Sequence, residues 1–320
     1  MIYLVTKQTN LQDDSYEIIS VEESLKILES LTIVGLDTET TGLNCHKDKL
    51  LSVQLGCKKF QVVIDCTTID IQEYKSYLES DRVFILWNAK FDLKWLYRYH
   101  IVPKNVYDGF LAEKIMWLGY PIVLTVDMWN NIKCDRYDYF PGDSKKDTEA
   151  HYKLQMNLKK AGEMYLGVEL DKSVRGKIIY LGLTPETIAY SANDVKYLED
   201  IKNCQEKLLK EKGLMLAMSY SNKFILALAY MEFCGVKVDI NKWIAKMNKD
   251  NEQLESYKKQ IDEWLIKNDP TSPYITINRQ GNLFEGFDLS PKVTVNWKSS
   301  QQVIPIFKKF GVNLEVLDKK

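Results

Sequence analysis

An α/β fold built on a mixed sheet is the class this sequence predicts. Three observations carry it. Short apolar runs of strand length recur near 32–38, 50–56, 60–64 and 82–87. The second and third are joined only by Cys57-Lys58-Lys59, a link short enough to require an antiparallel hairpin. After that hairpin, strand-like runs alternate with segments of helical spacing. A chain of 320 residues, 45% of them hydrophobic, can bury a sizeable core and suggests about two domains. The composition changes after Gly213, so the division is expected as 1–213 and 214–320.

Taken in order, residues 2–5 and 16–19 read as a short extended lead-in. Ser20-Val21-Glu22-Glu23 is a capping box, so a helix follows with Val21, Leu25, Ile27 and Leu28 inward. Next come the strand near 32–38 and the hairpin. Residues 74–78 are helical. Residues 82–87 are almost wholly apolar and read as a strand buried on both faces. A helix over 88–99, a short strand over 105–108 and a helix over 110–118 follow. Pro, Gly, Asp and Ser in 141–150 predict an exposed loop. Helices are expected at 152–165 and 173–181. Thr184-Pro185-Glu186 is a strong helix start, with a run from Pro185 to about Lys212. Long helices near 215–233 and 240–267 and a turn-rich stretch over 268–295 come next. Ser299-Ser300-Gln301-Gln302 is a second capping box, opening a helix to about Phe310.

Basic and acidic residues nearly cancel, at 43 and 44, which leaves room for clustered acids beside a basic groove. The six cysteines include no C-x-x-C pair and make no zinc pattern with the three histidines. No apolar run approaches the ~18 residues of a membrane span, and the first ten residues do not read as a signal peptide. A cytoplasmic protein with reduced thiols is expected.

The chemistry concentrates where strands end. Asp37 and Glu39 close the first core strand at spacing two, so both point to one face. Like charges held that close raise each other's cost of ionising, and a hard divalent cation relieves it. Asn88 and Asp92 stand four apart at the start of the helix after the apolar strand, a position where open α/β sheets bind ligands. They also suit an ordinary helix N-terminus, with Asn as cap and Asp in the first turn. Tyr190 and Asp194 are four apart on the helix opened by Pro185.

This ordered triple, D-x-E, N-x-x-x-D and Y-x-x-x-D, resembles the DEDD superfamily of 3′–5′ exonucleases. Thr38, Gly42 and Leu43 extend the first match. Leu170-Asp171-Lys172-Ser173 and Leu183-Thr184-Pro185 precede the third. The histidine subclass carries His five before the last acid, where this chain has Ala189. Tyr190 places it in the tyrosine subclass. Two later stretches, Leu226 to Asp239 and Val295 to Gln302, resemble the start of the thumb in family A DNA polymerases. The resemblances cover roughly residues 30–315.

The resemblance implies a ribonuclease H-like mixed sheet flanked by helices, followed by a mainly helical, thumb-like C-terminal segment. It implies a proofreading exonuclease that hydrolyses the terminal phosphodiester at the 3′ end of single-stranded or frayed DNA, such as a primer terminus. Asp37, Glu39, Asp92 and Asp194 would hold two divalent ions, Mg²⁺ or Mn²⁺, and Tyr190 would aim the attacking water. Asp37 would bridge both ions. Implied substrate contacts are Leu43 as a wedge against the terminal base, Asn88, Thr40 and Phe91, the last better suited to core packing. Lys172, Arg175 and Lys177 form a basic cluster that suits tracking a single strand and a solvated helix face equally. Asp65 and the histidines read as structural, and Asp108 as support for the site. Motifs for nucleotide addition are missing, so a piece of a larger, phage-like polymerase in a bacterial or infected-cell cytoplasm is expected, with a naturally short relative as the alternative. An RNase D-like exoribonuclease is the alternative, and a non-catalytic DNA-holding module a third reading.

Overall fold

The structure, a computed structural model, describes residues 1–143, 149–170, 178–277 and 290–312. The first part of the chain runs β1 (Ile2–Val5), β2 (Glu17–Ile18), α1 (Val21–Leu28), β3 (Ile33–Thr40), β4 (Leu50–Gly56) and β5 (Gln61–Asp65). It continues through α2 (Lys75–Leu78), β6 (Val83–Leu86), α3 (Ala89–Arg98), β7 (Asn105–Asp108) and α4 (Gly109–Met116). These seven strands form one sheet in the order β2-β1-β5-β4-β3-β6-β7. The β3–β4 and β4–β5 pairs are antiparallel, and the other neighbours are parallel. The expected hairpin and mixed sheet are therefore present. The Ser20 capping box forms as expected, with Ser20 accepting from the Glu23 amide.

Next come β8 (Val123–Thr125), α5 (Val126–Ile132), β9 (Tyr137–Phe140), β10 (His151–Leu154), α6 (Leu158–Leu166), α7 (Ile178–Leu181), α8 (Pro185–Lys196), α9 (Leu198–Glu211) and α10 (Met215–Cys234). Two expectations need correction here, the helix start at 152 and the single helix over 185–212. Residues 152–154 are strand, not the start of a helix, because β10 pairs with both β8 and β9 in a small sheet. The helix expected over 173–181 is described only as α7; residues 171–177, with Lys172, Arg175 and Lys177, lie outside the described residues, as do 144–148 of the expected loop. The helix expected over 185–212 is two helices that break at Tyr197, whose backbone leaves the helical region. The first compact unit runs to Gly235, and α10 buries Ile225 and Ala229 in the main core. A buried ion pair, Arg136 with Glu113, ties the segment before β9 to α4.

The two faces of the main sheet carry separate cores. Val34, Leu36, Phe84 and Leu86 pack with Leu93 and Leu96 of α3. Ile85 and Tyr107 pack with Val195, Leu198 and Ile201 of α8 and α9. Side chains alternate along a strand, so Gly35, Asp37 and Glu39 share the face opposite Val34, Leu36 and Thr38. At Gly35 a Cβ would lie 2.6 Å from the Val195 carbonyl oxygen. Only glycine lets α8 lie this close to β3, and the close approach sets Asp194 beside the end of that strand.

The second unit, residues 236–320, contains α11 (Ile240–Asn268), β11 (Ile275–Ile277), β12 (Pro291–Val293) and α12 (Ser300–Lys309). Leu265, Val295, Val303 and Ile306 form its small core. The second capping box is not made. Ser299 gives no side-chain cap, and the Gln302 side chain instead accepts from the Asn296 amide at 2.8 Å. No helix among the described residues is long and apolar enough to cross a membrane.

Candidate active site

The end of β3 supplies Asp37 and Glu39, and α8 supplies Asp194. One carboxylate oxygen of each lies within 4.8 Å of the others. Oxygens sharing one small hard cation at about 2.1 Å stand roughly 3–4.2 Å apart, so a modest side-chain adjustment brings all three onto one ion. The donor set is hard oxygen throughout, as magnesium or manganese chemistry requires.

Asp92 comes from the first turn of α3, on the other face of β3. Thr38 donates to its Oδ1 at 2.6 Å. The side chain is only 2% exposed. Burial pushes its pKa up to about 7; the Thr38 hydrogen bond opposes this, and the charges of Asp108 and Glu39 add to it. A carboxyl in such surroundings holds its charge readily only beside a cation.

The turn that delivers Asp92 is held by Asp108. Asn88 takes a left-handed conformation, φ 70°, and makes no side-chain cap, unlike the cap that its position suggests. Asp108 instead accepts from the amides of Asn88 and Ala89, and it caps α4 through Phe110 and Leu111. The support expected of Asp108 is a set of four backbone hydrogen bonds.

A cavity of about 460 Å³ opens at this point, lined among others by Asp37, Glu39, Leu43, Asn88, Phe91, Asp92 and Asp194. Leu43 stands 85% exposed at its rim. Its loop is pinned to α3 by Arg98, which donates to the Cys45 and Asp48 carbonyls. Phe91 lines the cavity and also packs against the main core. Thr40 is not among the lining residues; its hydroxyl is spent on the Gly42 carbonyl at 2.7 Å. Tyr190 is buried one turn before Asp194 on α8 and is not among the lining residues either. Trp87, Asn157, Leu158 and Lys159 line the cavity without having been singled out as site residues. A signal existed for the last three: Asn157 is a good cap before an amphipathic run, but a helix read from 152 hid it.

Residues 16–210 match the model of the 3′–5′ exonuclease domain of family A DNA polymerases. The chain belongs to that family. A relative of this exonuclease domain is DNA polymerase I of Aquifex aeolicus strain VF5, 28% identical over 277 residues. The match covers 79% of this chain, which thus spans only 40% of that relative's length. Two solved structures share the fold. Brucella melitensis NrnC bound to pGG superposes with a TM-score of 0.51 at 20% identity, covering 73% of the exonuclease chain and 94% of its own. Escherichia coli RNase D gives 0.50 at 19%, covering 72% and 52%. The ribonuclease H-like fold expected from the motifs is thereby established for the exonuclease.

Proposed function

We propose that this exonuclease removes mononucleotides from the 3′ end of single-stranded or frayed DNA, as the proofreading part of a family A polymerase in a bacterial or infected-cell cytoplasm. The observation that carries the reading is the meeting of Asp37, Glu39 and Asp194 at one end of β3, beside buried Asp92. In this reading residues 214–320 begin a polymerase thumb.

Asp37, Glu39, Asp92 and Asp194 would hold two divalent cations, Mg²⁺ or Mn²⁺. When bound, these supply charge that eases ionisation of the attacking water and stabilises the departing 3′ oxygen. Asp37 would contribute to holding both cations, with Glu39 and Asp194 beside it. Thr38 fixes the Asp92 carboxylate so that it meets the substrate side already oriented. Tyr190, with a phenol whose ordinary pKa is near 10, orients the water and does not take its proton. Leu43, exposed at the rim, wedges against the terminal base, and apolar stacking of that kind tolerates any sequence. Asn88 and Phe91 line the path of the last nucleotide.

The test uses matched 5′-labelled DNA and RNA single strands, with Mn²⁺ or with chelator, resolved at single-nucleotide steps. A Mn²⁺-dependent ladder shortening from the 3′ end of DNA is expected. Preference for the RNA strand would replace this reading with the RNase D-like alternative.

A further inference from the structure

The cavity that carries the carboxylates has one cation among its described lining residues, Lys159. We propose that Lys159 binds a phosphate of the strand being degraded, and so belongs to the substrate-binding machinery. The proposal rests on the exonuclease reading above.

A single strand carries one negative charge per nucleotide, and four carboxylates repel it. Cations held by those acids serve the scissile phosphate. A strand entering the cavity needs positive charge in its lining as well. Lys159 supplies it from the first turn of α6, where the positive end of the helix dipole adds to its charge.

Its neighbour shows what a structural lysine looks like here. Lys160 is largely buried, with its ammonium 2.9 Å from Asp138 and 3.6 Å from Glu163. Lys159 has a side chain 47% exposed. Its acidic contact is Glu169, 3.6 Å away and itself 86% exposed. A contact of that kind contributes little and yields readily to a phosphate. The helix beneath it is fixed, because Leu158 and Ala161 lie in the second core. Lys159 is thus an exposed ammonium on a rigid base, lining the same cavity as the acids.

The experiment compares wild type, Lys159→Ala, Lys159→Arg and Lys160→Ala. It reads KM and kcat for a labelled single strand in Mn²⁺, and oligonucleotide affinity by fluorescence anisotropy at several salt concentrations. Lys159→Ala should raise KM about tenfold with kcat within about twofold. The slope of log affinity against log salt should flatten by about 0.7, the share of one phosphate on a single strand. Lys159→Arg should restore most of the affinity, and Lys160→Ala should keep the wild-type slope. An unchanged slope and KM in Lys159→Ala would overturn the proposal. A wild type that binds oligonucleotide but releases no nucleotide contradicts the exonuclease reading instead, and the anisotropy slopes still decide the role of Lys159.

Discussion

The Asp108 carboxylate takes the backbone N–H of Asn88 at 3.0 Å and that of Ala89 at 3.0 Å. One acid at the end of β7 thereby fixes the left-handed turn that carries Asp92 into the cavity. It also caps α4 through two further amides. Removing it leaves several buried donors without acceptors, each costing about 1–3 kcal/mol. Asp108→Ala should lower stability by roughly 3 kcal/mol, seen as a shifted denaturant midpoint. It should also cut kcat more than tenfold by loosening Asp92. Asp108→Asn keeps one acceptor oxygen and should fall between.

The close approach at Gly35 makes a sharper prediction. A methyl there meets the backbone oxygen of Val195, which cannot swing aside as a side chain would. Gly35→Ala should push α8 from β3, costing about 1–3 kcal/mol as overpacking does. Asp194 moves with α8, so Mn²⁺ affinity should fall as well. A melting temperature and Mn²⁺ titration equal to wild type would show that the two elements separate without consequence.

These two supports differ in how legible they were. Short apolar runs and the short link of the hairpin made β3, β4 and β5 readable, and the spacing of Asp37 and Glu39 put both on one face without any tertiary knowledge. Gly35 belongs to the same face, yet its role depends on a helix far along the chain. The break at Tyr197 was not readable, because Val195, Leu198, Ile201 and Leu209 keep an apolar spacing through it and no glycine or proline marks it. The small sheet was missed for a related reason. Its strands are three or four residues long and gain their stability from each other and from the Arg136–Glu113 pair. The Ser299 box failed because Gln302 found a better partner in Asn296. Local patterns decided the elements, and long-range partners decided which patterns were used.

Cation binding should be visible in stability. Asp37, Glu39 and Asp194 repel one another when charged, and a bound cation relieves this. Adding Mn²⁺ at about 100 times its dissociation constant should stabilise the fold by roughly 2.7 kcal/mol. Calorimetry of Asp37→Asn should show a higher melting temperature than wild type in chelator and a much smaller rise on adding Mn²⁺. The opposite order in chelator would mean that the acids attract their surroundings more than they repel each other.

Asp65 offers a pH test away from the site. Burial raises its pKa, but hydrogen bonds from Thr6, Thr67, Thr68 and Gln8 together outweigh burial and leave it below the ordinary 3.8. The carboxylate is fully buried and joins β5 to the loop after β1. With its folded value depressed, its contribution is complete above pH 4 and is lost as pH falls through the folded value. Asp65→Asn should cost about 1.5–3 kcal/mol at pH 7. The gap to wild type should narrow below pH 4, followed by urea unfolding at each pH. A gap that stays constant down to pH 2 would rule out a charged Asp65 as its source.

The most direct measurement is nucleotide release by the Asp37→Ala, Glu39→Ala double variant on labelled single-stranded DNA in Mn²⁺, beside its circular dichroism. The account predicts a folded protein that releases no nucleotides where wild type digests from the 3′ end. Digestion at the wild-type rate by a folded double variant would contradict it.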